Sequence, residues 1–221
     1  MVKEEADGLM GGLLYHFAEP AWVAHVQRDY LRYFRDAGEG KILDLGSGRG
    51  IFLELLRSAG LSGAGVDRNP ESVRQCREQG FAEVEVADAL GYLEAKAASG
   101  ERYGGILCSQ LIEHLEGGMA VRLVELCARV LSPGGRLVIV TPNVTNLYVW
   151  TELFWCDPTH VRPYARPLLE ALLSSAGLVL RKSYADPRTR SRGAKLLARL
   201  LRYGISAWSG VDLVVVGEKP R

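Results

Sequence analysis

Three glycines at alternate positions, Gly46, Gly48 and Gly50, follow a short apolar run carrying an acid in Lys41-Ile-Leu-Asp-Leu-Gly-Ser-Gly-Arg-Gly50, and no other stretch constrains the fold as much. A β-type run turns through them into the amphipathic segment Ile51-Phe-Leu-Glu-Leu-Leu56. A strand–turn–helix of this kind lets backbone N–H groups approach a ligand, because glycine carries no side chain to hold it off. The spacing discriminates between ligands. A dinucleotide loop reads G-x-G-x-x-G, whereas this one reads G-x-G-x-G after Asp44. A G-x-x-x-x-G-K-[ST] triphosphate loop is absent from the chain.

Strand-like and helix-like segments alternate along the rest of the chain, which argues for an α/β fold with a mainly parallel sheet. Apolar, β-branched runs predict strands at 41–45, 64–67, 83–87, 105–109 and 136–141, with a closing pair at 178–183 and 211–216. Helical periodicity predicts helices at 51–59, 70–79, 119–131 and 166–176. Pro70 suits a first helical turn, Gly80 a helix end, and Ser132-Pro-Gly-Gly135 a turn into the next strand. The two closing strands could pair antiparallel across a basic helical segment.

Composition narrows the classes. With 221 residues, one well-packed domain is expected. A net charge of +1 gives no global field for nucleic acid or an acidic partner. The acidic start, Met1 to Asp7, lacks the apolar core of a signal peptide, and no apolar run reaches membrane-spanning length. Cys76, Cys108, Cys127 and Cys156 lack C-x-x-C spacing and framework density, so reduced thiols in a cytoplasmic protein are expected.

Two more acids follow the glycine loop. Asp67 ends Ala64-Gly-Val-Asp67, 23 residues after Asp44, a spacing that suits a bidentate acceptor for ribose hydroxyls; an acidic turn before Pro70 is the plain alternative. Asp88 follows the third strand and reads equally as a helix N-cap. Each acid sits at the carboxyl end of a successive strand, where open α/β sheets bind ligands. Together with Gly104-Gly-Ile-Leu-Cys-Ser-Gln-Leu-Ile-Glu-His-Leu115 and Arg129-Val-Leu-Ser-Pro-Gly-Gly-Arg-Leu-Val-Ile-Val140, these motifs resemble the class I S-adenosylmethionine-dependent methyltransferases, closely over about residues 40 to 145 and more loosely from 160 to 216.

The resemblance implies a doubly wound, Rossmann-like, seven-stranded mainly parallel sheet with an antiparallel last strand, in a three-layer sandwich. It implies one domain over 1–221: a helical lid at 1–38, a cofactor core at 40–145, and an acceptor-side loop, basic helix and closing strands at 146–221. S-adenosyl-L-methionine is the implied co-substrate. Asp44, Gly46, Ser47, Gly48 and Gly50 would meet its methionyl end, Asp67 and Arg68 its ribose, Asp88, Ala89 and Leu90 its adenine, with Ser109 beside them.

A stripe of Trp22, Val26, Tyr30, Tyr33 and Phe34 before the first strand reads either as a helix packed on the sheet or as the lid. Among four histidines, His16 and His25 precede the core. His114, next to Glu113, and His160, in Asp157-Pro-Thr-His-Val-Arg-Pro163, fall where an acceptor should approach, so each is a candidate general base. Metal-dependent relatives place E-x-x-E-H here with a later His; Gln110 replaces the first Glu and removes an anionic ligand, so no metal is expected, while Glu113-His114 could equally be a pair that orients the loop.

The segment 181–202 carries eight basic residues against Asp186, with Leu196, Leu197, Leu200 and Leu201 at helical spacing. It reads either as a helix on the sheet edge or as a peripheral contact for an anionic membrane or lipid-linked substrate. The expected activity is O-methylation of a small-molecule acceptor, a sugar or glycan precursor first, a quinone or aromatic ring second. A non-catalytic S-adenosylmethionine-binding partner protein is the rival from another class. No nucleic acid is expected, and the oligomeric state is left open.

Overall fold

A computed structural model of the protein describes residues 19–187 and 210–221. Seven strands form one sheet in the order β3-β2-β1-β4-β5-β7-β6. In chain order they are β1 (Ile42–Leu45), β2 (Gly63–Asp67), β3 (Val84–Val86), β4 (Tyr103–Ser109), β5 (Leu131–Pro142), β6 (Val179–Ala185) and β7 (Asp212–Glu218). Pairings from β3 to β5 are parallel, and β7 runs antiparallel to both β5 and β6. The reversed last strand is as expected, and the chain order switches direction between β1 and β4.

Alternation of side chains along buried strands sends successive residues to opposite layers. Leu43, Leu45, Ile106, Cys108, Leu137 and Ile139 pack on one face with helices α4 (Ala89–Ser99), α5 (Gly117–Val130) and α6 (Arg166–Ser175). Ile42, Leu107, Val138 and Val140 pack on the other with α1 (Pro20–Arg28), α2 (Ile51–Ser58) and α3 (Pro70–Glu78). The result is three layers. Tyr30, Tyr33 and Phe34 of the aromatic stripe are buried in the second layer, whereas Trp22 is exposed.

Local chemistry sets the helix starts. Asn69 accepts from Glu71 N at 2.9 Å ahead of Pro70, and Asp88 accepts from Gly91 N at 3.0 Å, so Asp88 is an N-cap. The helix it caps, α4, is missing from the sequence expectation. Its alanine-rich stretch buries just Tyr92 and Leu93, which leaves little periodic signal.

Two other expectations are corrected. The helix expected at 119–131 runs Gly117–Val130, and Ser132-Pro-Gly-Gly135 lies inside β5 rather than in a separate turn. The register against β4 shifts between Tyr103 and Gly105, and Gly134 takes φ 75° within that bulge. Arg181 and Lys182, which open the segment expected to carry the basic helix, lie on β6 in agreement with the strand expected at 178–183, and Arg181 pairs with Glu218 at 2.7 Å. The leucines of that helix and His16 lie outside the described residues. Among the described residues, no helix is long and apolar enough to cross a membrane.

Candidate active site

The carboxyl ends of β1 to β5 open on a cavity of about 890 Å³. That volume is at the upper end of those that take a drug-sized ligand. Gly46, Gly48, Asp67, Arg68, Asp88, Ala89, Ser109, His114 and His160 all line it. Asp44 and Ser47 line a small adjoining cleft, with Gly46 and Ser109 common to both.

The glycine loop is built on three left-handed residues, with φ 84° at Gly46, 50° at Gly48 and 79° at Gly50. Its amides are largely used within the protein. Gly46 N and Ser47 N donate to Val66 O at 2.9 and 3.0 Å, and Gly48 N donates to Asp67 Oδ2 at 2.7 Å. Asp67 Oδ1 accepts from Asn69 N at 2.8 Å, so this carboxylate ties the loop to the start of α3 while it borders the cavity. Asp44 is 4 % exposed, and burial, with the Asp67 carboxylate beside it, pushes it up to about 8.

Three expected site residues line neither the large cavity nor the small cleft. Gly50 is the left-handed N-cap of α2 and is buried, because Cys76 and Phe81 press on it; a Cβ there would meet Cys76 Sγ at 2.9 Å. Leu90 is turned by the first turn of α4 into the apolar layer beneath. Glu113 is fully buried behind the cavity wall.

The acceptor side is drawn together from the loop after β4 and the 157–160 turn. His114 Nδ1 lies 3.1 Å from Thr159 O and 2.9 Å from Thr159 Oγ1. Thr159 Oγ1 donates its hydrogen to Asp157 Oδ1 at 2.6 Å, and a carbonyl can only accept, so His114 Nδ1 carries the proton and Nε2 is the basic atom. Burial, and then His160, lowers the His114 pKa below the ordinary imidazole value. His160 Nδ1 donates to Phe154 O at 2.7 Å, and the two imidazoles meet at an interplanar angle of 57° with centroids 4.9 Å apart.

Glu113 Oε2 accepts from Thr141 Oγ1 at 3.0 Å, while Oε1 is buried without a hydrogen-bond partner. Burial pushes this carboxyl up to about 8. Ligand atoms of Glu113, His114 and His160 all lie within 4.8 Å of one another, a carboxylate and two imidazoles that would suit a divalent transition ion. Gln110 takes φ 52°, uncommon for a residue with a side chain, and its amide donates to Asp212 Oδ1 at 2.9 Å. It is thereby held by β7.

Trp22 and Tyr30, from the stripe that reads as a helix or a lid, and Leu111, from the motif after the fourth strand, also line the cavity, whereas Val23, Gln27 and Asp212 line it with no motif to signal them. Gln27 sits four residues after Val23 and three before Tyr30, on the apolar face of its helix. A lone amide on such a face is the one available signal.

A methyltransferase-domain family model matches residues 16–183. The ubiquinone biosynthesis O-methyltransferase of Xanthomonas oryzae pv. oryzae (strain PXO99A) is 30% identical over 122 residues, 54% of this chain and 50% of that protein. The chain thus spans about half the length of the first curated relatives it matches. The like-named protein of Chelativorans sp. (strain BNC1) is 26% identical over 93% of this chain and 84% of that one. A SAM-dependent methyltransferase from Archaeoglobus fulgidus superposes with a TM-score of 0.75 at 26% identity, covering 91% of this chain and 95% of that one. With its glycine loop, its acids at successive strand ends and its reversed last strand, the chain belongs to the S-adenosylmethionine-dependent methyltransferases.

Proposed function

We propose that the protein methylates a hydroxyl on a small, apolar, ring-type acceptor, with His114 as the general base. The observation that carries this reading is the cavity-lining imidazole of His114, locked by Thr159 in the tautomer that keeps Nε2 basic. Leu111, Leu115, Val140, Pro142, Val149 and Leu153 line the same end, a surface that suits a ring better than a polyhydroxylated sugar. The names of the Xanthomonas and Chelativorans relatives support the ring over the glycan.

When bound, S-adenosylmethionine supplies an activated methyl group on a sulfonium. The buried acceptor-rich cleft at Asp44 and Ser47, and Asp67 beside the loop, fit its charged and ribose portions. The chain's own task is to hold the acceptor hydroxyl in line, exclude water and take its proton. His114, kept neutral at pH 7 by burial, accepts that proton at Nε2. His160 and Thr159 hold its ring. Glu113, with its carboxyl raised to about 8, remains behind the ring as a protonated spacer.

Labelled donor tested against catechols, hydroquinones and sugars should give transfer to phenolic hydroxyls. Transfer to sugars alone would replace the ring with the glycan. Binding of S-adenosylhomocysteine with no transfer to any hydroxyl would leave the protein as a non-catalytic binding partner.

A further inference from the structure

The small cleft beside the glycine loop contains polar groups that the fold itself does not use. Gln27, Asp44 and Ser47 are 7%, 4% and 6% exposed, so each is more than nine-tenths buried. All three line this one cleft, with Gly46 and Ser109 beside them. Gln27 Oε1 and Ser47 Oγ are buried with no hydrogen-bond partner. Leaving such an atom unpaired is costly, so a pair of them at one point marks a place that a donor group, a ligand's or a water's, completes.

The chemistry of the three groups selects the ligand. An amide oxygen, a carboxylate and a hydroxyl oxygen are all acceptors, and a primary ammonium offers three N–H donors. Arg49 also lines the cleft and, unlike the three acceptors, is exposed. An α-ammonium group seated here would also relieve the unfavourable burial of Asp44 beside the Asp67 carboxylate.

We propose that Gln27, on helix α1, joins Asp44 and Ser47 in a three-acceptor seat for the α-ammonium group of the cofactor's amino-acid end. The inference rests on the cofactor assignment and adds to it a residue from outside the core. It makes α1 part of the binding site: Val26 and Tyr30 anchor that segment in the apolar layer, and Gln27 reaches from it to the loop. Occupancy of the seat bolts the N-terminal segment to the glycine turn.

Two probes separate this role from a structural one. S-adenosylhomocysteine carries the ammonium, and 5′-methylthioadenosine lacks the whole amino-acid end. Titration calorimetry of Gln27→Leu should show S-adenosylhomocysteine binding weakened by about tenfold or more, the scale of one hydrogen bond to a charged group. Methylthioadenosine should bind both proteins equally. Ser47→Ala should repeat the pattern, so the proposal stays testable if Gln27→Leu does not fold. Gln27→Glu, which keeps an acceptor, should hold S-adenosylhomocysteine affinity. Equal weakening of both probes, or unchanged S-adenosylhomocysteine binding in Gln27→Leu and Ser47→Ala, overturns the seat. Failure of the unaltered protein to bind either probe overturns the cofactor assignment instead.

Discussion

At the scale of single residues, the acceptor end depends on proton positions. Thr159 fixes the His114 tautomer because its own hydrogen is committed to Asp157. Thr159→Val, which removes the hydroxyl acceptor at Nδ1 and leaves the Thr159 carbonyl, should lower the turnover rate modestly and more than it weakens acceptor binding, which separate measurement of kcat and KM will resolve. The Glu113, His114 and His160 cluster makes a second, opposed expectation checkable. With Glu113 raised to about 8 by burial and His114 acting as a base, a chelator should leave the rate unchanged. A chelator-sensitive rate restored by a transition ion would make the same three residues metal ligands. Glu113 and His114 were legible as a pair from Ile112-Glu-His-Leu115, and their relation to His160 only through the family resemblance. That relation depends on the 157–160 turn folding back over 45 residues of chain, and nothing local encodes it.

At the scale of elements, the glycine loop was legible because its requirement is local. A chain that turns three times through left-handed backbone needs glycine wherever it does so, and spacing alone records this. Gly50 carries a further steric demand. Gly50→Ala combines φ 79° with a Cβ 2.9 Å from Cys76 Sγ, whereas Gly60→Ala combines φ 73° with open space. Each substitution should carry a conformational penalty of about 1–2 kcal/mol, and Gly50→Ala should exceed Gly60→Ala by its clash. Denaturant midpoints of the two variants measure the difference; equal midpoints would show that Cys76 yields freely. Helix α4 was not legible, since Ala, Lys and Ser at most of its positions give no stripe, and it is held by the Asp88 cap and by Tyr92 and Leu93. The β5 bulge was hidden for another reason. Ser132-Pro-Gly-Gly135 has the composition of a turn, yet Gly134 and Gly135 pair with Lys219 across the sheet. Long-range pairing there overrides local preference.

At the scale of the whole molecule, function and stability pull on the same buried acids. Asp44 and Glu113 are each raised to about 8 from ordinary values of 3.8 and 4.5. Between those limits the folded chain holds protons that the unfolded chain has released. Their contribution to stability is therefore full below about pH 4 and is lost as pH rises through about 8. His114, with a lowered pKa, acts in the opposite sense and removes stability as pH falls below 6.5. Urea midpoints of the ligand-free protein between pH 6.5 and 9 should fall with pH, and Asp44→Asn should flatten the decline. A decline unchanged in both Asp44→Asn and Glu113→Gln would mean that neither acid is protonated in the fold. The overall architecture was legible because strand and helix periods alternate through the core. What links the layers into one site, Gln27 reaching the loop and Gln110 held by Asp212, was not, because each link joins elements distant in sequence.

The role of His114 is tested most directly by the pH dependence of methyl transfer to a phenolic acceptor, measured with labelled donor for the unaltered protein and for His114→Ala. The rate should be flat near neutrality and fall on the acid side below the ordinary imidazole value, as Nε2 of His114 takes up a proton. His114→Ala should lose that acid limb and about a hundredfold in turnover, the scale of a positioned general base. A variant that keeps both the unaltered rate and the acid limb would contradict the assignment of His114 and return the base to an open question on the acceptor side of the cavity.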